Sequence, residues 1–278
     1  GSYSVTLSAQ KDSALGISTP SQLRKIAEQA SSTFRKAKKK NDHKAILTAL
    51  LSEAEALLEL NKVQQADDLL SEASHHIIEK EPDALTGKFY LLKTKTEKEK
   101  NNLERAILEA QRALKIYTPL HDTAGIAIIY SQLGSIAWKM HDYYNAVNHF
   151  TKALDLYRLV HDKKSTGQTL LNLGIVYTDM NQFDLAEEYF RKSFEHYSVL
   201  KDPLGEANVL HYLGVYHFKR ARLKEAEDYY NRAWEKRLAA GDTFGAAGSL
   251  INLTQVYRDL RQPENATIAS NRAFSLAR

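Results

Sequence analysis

The sequence predicts an all-α protein, an open-ended solenoid of antiparallel helix pairs, on the strength of three observations. The first is self-similarity at a fixed period. Between Asp122 and Gly241 three copies of one 40-residue unit stand end to end, holding YSQLGSIAW, LLNLGIVYT and LHYLGVYHF in the same register. A period in this range marks a stacked repeat protein, in which each unit buries its apolar face only against its neighbours. The second is a set of aligned columns: Leu133, Leu173 and Leu213; Gly134, Gly174 and Gly214; Ala146, Ala186 and Ala226; Phe150, Phe190 and Tyr230; Ala153, Ser193 and Ala233. Glycine inside a helix costs about 1 kcal/mol against alanine, so three in register require a compensating contact. The simplest is close approach of the two helices of a pair, with the first alanine column facing the contact and the aromatic column filling the space between consecutive units. The third is the opening residue: Asp122, Asp162, Asp202 and Asp242 each precede a helical pattern, and an aspartate there accepts from the free N–H groups of a helix start.

Size and composition agree with this. A single compact core rarely grows past about 250–300 residues, a limit that does not bind a solenoid, so 278 residues need not form two domains. Apolar and charged fractions of 43% and 26% are those of an ordinary water-soluble chain. A net charge of +4 is weak support for a nucleic-acid partner, and none is expected. With no cysteine there is no disulfide, thiolate metal site or Cys nucleophile. No apolar run approaches the ~20 residues of a membrane span, so direct membrane insertion of this segment is not expected. Gly1-Ser2 reads as a cloning scar, the first methionine is Met140, and the chain stops at Arg278 directly after a helical pattern. These ends lead to the expectation of a segment cut from a longer protein, either an exported sensor region or a cytoplasmic regulator.

Taken in order, residues 1–18 are polar and unpatterned and read as a loose arm. Thr19-Pro20-Ser21-Gln22 is a helix start, with Thr as cap, Pro at the first helical position and Gln three after the cap. Residues 19–41 are half a unit, a second helix without its first. Their basic run Arg35 to Lys40 reads as a solvated helix terminus set favourably against the dipole. Six units follow, over 42–81, 82–121, 122–161, 162–201, 202–241 and 242–278. In the first, Ala54, Ala66 and Ala73 take the small slots, but Glu53 stands where Leu133 stands later. The unit over 82–121 is the least regular: FYLLKTKTEKEK puts Lys93 and Glu97 at normally buried slots. Either its buried face is rotated onto Leu85, Phe89 and Leu92, or its C-terminal half projects into solvent. The last unit keeps Leu253, Ala266 and Ala273, with Thr254 in place of glycine. The sum is about thirteen helices, one leading helix and a pair per unit.

The order Tyr130, Leu133, Gly134, then Ala146, Phe150, Ala153, repeated in the next two copies, resembles the tetratricopeptide repeat. The departure is length, 40 residues here against 34 in the common form. The longer helices and the Asp-x-x-Gly opening look like the variant of LGN-type adaptors, bacterial Rap-type regulators and the sensor regions of bacterial histidine kinases and diguanylate cyclases. The resemblance covers 42–278 and is strongest over 122–278. It implies a right-handed superhelix whose first helices line a concave groove, and it implies binding rather than catalysis.

The family pattern turns the residue before the Leu-Gly pair toward the groove: Gln132, Asn172, Tyr212 and Asn252. One turn earlier lie Gln168 and Asn208; one to two turns later lie Lys139 and Lys219. Asn and Gln offer both a donor and an acceptor, so one per unit can bracket the main chain of an extended peptide whatever its side chains. The family's two-lysine grip on a peptide carboxylate is not matched, because Lys139 and Lys219 are two units apart and Asp179 and Asp259 occupy the equivalent slots between and after them. A metal site is not expected: His75 and His76 are adjacent, His211 and His217 are six apart, and His121 and His161 recur at unit boundaries in a loop role. With no GxSxG, P-loop or GxGxxG, neither cofactor nor catalysis is expected. The function expected is a non-catalytic module that binds an extended peptide or protein segment, the sensory or regulatory part of a larger bacterial signalling protein. The alternative is a scaffold that self-associates through an exposed end.

Overall fold

A computed structural model describes residues 20–77 and 83–276. The arm over 1–18, the Thr19 cap and the unit boundary at Pro82 lie outside the described residues. Among the described residues there are thirteen α-helices and no strand, in two compact units, 1–142 and 143–278. The first unit holds α1 (Pro20–Lys40), α2 (His43–Glu59), α3 (Val63–Ser74), α4 (Ala84–Glu99), α5 (Leu103–Tyr117) and α6 (Thr123–Lys139). The second holds α7 (Tyr143–Leu159), α8 (Lys163–Asp179), α9 (Phe183–Leu200), α10 (Pro203–Lys219), α11 (Leu223–Ala239), α12 (Thr243–Asp259) and α13 (Pro263–Leu276).

The same local chemistry sets the helix ends in both units. Asp42, Asp83, Asp122, Asp162, Asp202 and Asp242 cap α2, α4, α6, α8, α10 and α12, each accepting from the backbone N–H three residues on. Among the described residues, helix after helix closes on a residue in the left-handed region: Asn41, Asn61, Asn101, His121, His141, His161, Asn181, Lys201, Ala221, Gly241 and Arg261 stand at multiples of 20 from one another. At α7 the Asp162 N–H reaches the Tyr157 carbonyl at 2.9 Å and the His161 N–H reaches Arg158 at 3.1 Å, the paired bonds that satisfy orphan carbonyls at a helix C-terminus. His121 and His161 therefore belong to the turn, as their recurrence implied.

Within the second unit each helix packs on the next, and α8 also touches α10, so the first helices of consecutive pairs lie side by side. The core runs through Leu171, Ala186, Phe190, Tyr197, Val209, Tyr212 and Tyr216, then through Ala226, Tyr230, Ala247, Leu250, Leu253 and Val256. The glycine column has a different partner from the one expected. A Cβ on Gly174 would stand 2.7 Å from the Phe190 ring and one on Gly214 2.6 Å from the Tyr230 ring. It is the aromatic of the same pair, not the alanine, that demands the glycine. The Phe190 ring also meets Tyr216 of the following pair edge-on, at 6.1 Å between centroids. A second ring, Tyr197 at the end of α9, lies against Gly167 on α8 and Gly205 on α10.

In the first unit α1 packs on α2, α2 on α3 and α4, α4 on α5 and α6. The irregular helix α4 does not project into solvent. Phe89 and Leu92 are buried, and so are Thr94, Thr96, Glu97 and Lys98 in its C-terminal half. The threonines turn their hydroxyls back on the Tyr90 and Leu92 carbonyls at 2.8 and 2.9 Å. Lys93 and Lys100 donate to the two oxygens of Asp67 on α3 at 3.1 and 2.9 Å, and Glu97 accepts from Asn102 at 2.8 Å. The polar sequence is buried because it closes its own hydrogen bonds.

Candidate functional site

The expected site residues fall on first helices, in both units. Gln132 and Lys139 are on α6 of the first unit. Gln132 is 2% exposed with its Oε1 lacking a hydrogen-bond partner among the described residues. Lys139 donates to the Lys98 carbonyl at 3.4 Å. The other six are in the second unit, Gln168 and Asn172 on α8, Asn208, Tyr212 and Lys219 on α10, and Asn252 on α12.

There the amides are joined into two short chains of hydrogen bonds. On α8 the Tyr197 hydroxyl donates to Gln168 Oε1 at 3.4 Å, and Gln168 Nε2 donates to Asn172 Oδ1 at 3.0 Å. One unit on, Arg237 takes the register position of Tyr197, and its Nη2 donates to Asn208 Oδ1 at 2.7 Å. Because a guanidinium only donates, the oxygen of Asn208 must face it and the NH2 group must face away. On α8 the hydrogen bond that Asn172 Oδ1 accepts from Gln168 likewise leaves the NH2 group of Asn172 facing away from Gln168.

Arg237 anchors a wider network. Its Nη1 donates to the Gly245 carbonyl at 2.6 Å and to Ser249 Oγ at 3.2 Å. Ser249 Oγ lies 3.1 Å from His211 Nδ1, and Asn252 Nδ2 lies 3.4 Å from His211 Nε2. The amide nitrogen of Asn252 can only donate, so His211 accepts at Nε2 and carries its proton on Nδ1. Burial first, then the Arg237 charge, push the His211 imidazole well below its ordinary range, so it stands neutral. Tyr212 is buried beside it, with its ring edge-on to the imidazole at 5.3 Å. Lys219 pairs with Asp179, one unit earlier on α8, and its charge is neutralised there. Among the described residues no three His, Asp or Glu side chains converge as a metal ion requires, and no helix is long and apolar enough to cross a membrane.

Sequence reasoning found the amide row and missed Arg237, His211 and Ser249, which orient it. The signal for Arg237 was present: Tyr117, Tyr157 and Tyr197 share one column, and Arg237 breaks it.

Comparison with known proteins follows from this geometry. The family model for the tetratricopeptide repeat matches residues 125–198 and again 168–239. No curated protein sequence matches the chain. Solved structures share its fold. A Rap protein complexed with competence and sporulation factor aligns at 19% identity over 93% of this chain and 75% of its own, with a TM-score of 0.74. The Rap conjugation gene regulator of plasmid pLS20, in complex with a Phr peptide, aligns at 18% over 94% and 76%, with a TM-score of 0.64. The apo quorum sensor NprR from B. thuringiensis aligns at 13% over 92% and 76%, with a TM-score of 0.64. The fold class is therefore the all-α helical-pair repeat. Residues 125–239 match the tetratricopeptide-repeat model, and the solved structures share the fold over nearly the whole chain.

Proposed function

We propose that the chain is a protein-binding module that takes an extended peptide segment along Gln168, Asn172, Asn208, Lys219 and Asn252 of the second unit, with Lys139 serving the same purpose in the first. Gln132 and Tyr212, expected on the groove, are buried and do not reach a ligand. One observation carries this reading: Asn172 and Asn208 have their oxygens tied down by neighbouring donors, while among the described residues nothing accepts from either NH2 group. Two half-exposed double donors on adjacent first helices match the carbonyls of an extended main chain, which any sequence supplies. The neighbours solved with a signalling factor or a Phr peptide bound support the same reading. In its wider setting the module serves as the sensory or regulatory part of a larger bacterial signalling protein. The test is a peptide array probed with wild type and with the double variant Asn172→Ala, Asn208→Ala. The double variant is expected to lose most spots, and equal retention by both proteins overturns the assignment.

A second reading is self-association through the last pair. Phe244 and Ile251 on α12, and Ile268 and Phe274 on α13, are each at least half exposed. The corresponding Leu171 and His211 of earlier pairs are covered by the helix that follows. Light scattering over a concentration series decides it, because a strict monomer removes it.

A further inference from the structure

The position that Tyr197 fills with a neutral ring is filled in the next pair by a permanent charge whose nearest carboxylate makes no hydrogen bond to it. The Arg237 side chain is 5% exposed. Every hydrogen bond it makes goes to a neutral acceptor: Gly245 O, Ser249 Oγ and Asn208 Oδ1. Its Nε is buried with no hydrogen-bond partner. The nearest carboxylate, Asp242, stands 3.9 Å from Nε, outside hydrogen-bond distance, and spends its Oδ1 on capping α12 through the Gly245 N–H at 2.8 Å. Glu206, also on α10, is paired with Lys236 and accepts from Ser198 at 2.8 Å. A buried cation is ordinarily matched by an ionised partner, since desolvating it costs several kcal/mol. Here the carboxylate stands off at 3.9 Å without a hydrogen bond to the guanidinium, and Asn208, which accepts from the guanidinium, turns its NH2 group away from that charge. The Asn208 oxygen, held at 2.7 Å by the guanidinium, polarises the amide and strengthens it as a donor.

Resting on the peptide-binding reading above, we propose that Asn208 contacts a carboxylate of the bound peptide and that Arg237 is the positioning residue behind it, orienting the amide and supplying the charge. The rung on α8, where Tyr197 and Gln168 orient Asn172, has no such charge and takes a neutral carbonyl. Arg237 needs no contact with the ligand, which agrees with its burial. The carboxylate belongs either to an acidic side chain or to the peptide C-terminus; the chemistry is shared and the test separates the two.

Randomised heptapeptides on an array, probed with the whole chain, supply the ligands. Each retained heptapeptide is resynthesised with every Asp and Glu as Asn and Gln, and separately with an amidated C-terminus, and affinities are read by fluorescence anisotropy. Wild type is expected to prefer the acid to one of the two neutralised forms by about tenfold, the scale of a charge-assisted hydrogen bond. Whichever neutralisation lowers affinity identifies the source. Arg237→Met and Asn208→Asp are both expected to abolish the preference, bringing the affinity of the acid form down to that of the neutralised form. Asn208→Asp answers the folding objection, because its carboxylate pairs internally with Arg237 and the melting temperature is expected to hold or rise. An undiminished preference in both variants overturns the subsite, and so does a wild type that binds heptapeptides but treats acid and amide alike. Retention of no heptapeptide by wild type removes the groove reading itself and the subsite with it.

Discussion

The junction of α3, α4 and α5 in the first unit and the junction of α7, α8 and α9 in the second occupy the same repeat register and fill it with opposite chemistry. In the second unit Leu171, Leu173 and Phe190 are fully buried, and the Phe190 ring fits only because Gly174 has no side chain. In the first unit the slot of Leu173 is held by Lys93, which is paired with Asp67; Asp67 also takes Lys100, and Lys100 approaches Glu97 at 3.6 Å. Caps and small residues fix where the helices run. What fills the space between them is free to be apolar or ionic, provided that an ionic filling is closed on itself, since a half-satisfied buried network costs more than an apolar one.

The largest effect is expected where the ring meets the glycine. Gly174→Leu forces the Phe190 ring off a position only 2.7 Å from the new Cβ and should destabilise the second unit by about 3 kcal/mol, the upper end for overpacking. Gly248, on α12, has open space for 4 Å around the position a Cβ would take, so Gly248→Ala should instead gain about 0.5–1 kcal/mol from helix propensity alone. Urea midpoints of the two variants check both signs, and a loss of equal size in each would show that helix propensity, not the ring contact, governs these positions.

The ionic junction is expected to be weaker and to depend on pH. Burial pulls the Asp67 carboxyl up, but the hydrogen bonds from Lys100 and Lys93 outweigh it and hold the group below the ordinary carboxylate range. A lowered folded value means that the ionised form is the stabilising one. Its contribution is present above the unfolded-state pKa and is lost as pH falls through the folded-state value. Asp67→Asn should therefore cost about 2 kcal/mol at neutral pH, from two lysines left without their acceptor, and progressively less in acid. Thermal melts of wild type and variant across the acid range are expected to converge; a gap that stays constant with pH would mean that the carboxylate charge plays no part.

The two junctions also show which features can be read without coordinates. The 40-residue period, the aspartate caps and the glycine and aromatic columns are local or strictly repeated, so they stand out in the sequence. The partner of the glycine was misread because helix periodicity says which residues share a face, not which neighbour reaches across to it. The Asp67 network escaped because it joins a residue on α3 to Lys93 on α4 and to Lys100 just past its end, far apart in the chain. The amide row was visible as residue types. Its orientation was not, because it depends on Tyr197 and Arg237, 29 residues from the amides they hold. Lys219 and Asp179 were visible as equivalent positions one unit apart; that they pair was not.

The smallest expected effect separates the units at their turns. The first closes its helices on Asn41, Asn61, Asn101, His121 and His141, residue types that tolerate a left-handed backbone. The second uses His161 and Asn181 and then Lys201, Ala221, Gly241 and Arg261. Ala221 holds φ at 56°, where its Cβ crowds the following carbonyl, a strain of about 1 kcal/mol that glycine does not feel. Ala221→Gly should raise stability by about 0.5–1 kcal/mol, with part of the relief offset by the greater freedom of glycine in the unfolded chain. Gly241, at φ 78° with open space around it, is the reciprocal position, and Gly241→Ala should lower stability by a similar amount. Since neither substitution touches a neighbour, opposite shifts of the urea midpoint would isolate the backbone term, and shifts of the same sign would sink the assignment of strain to the turn.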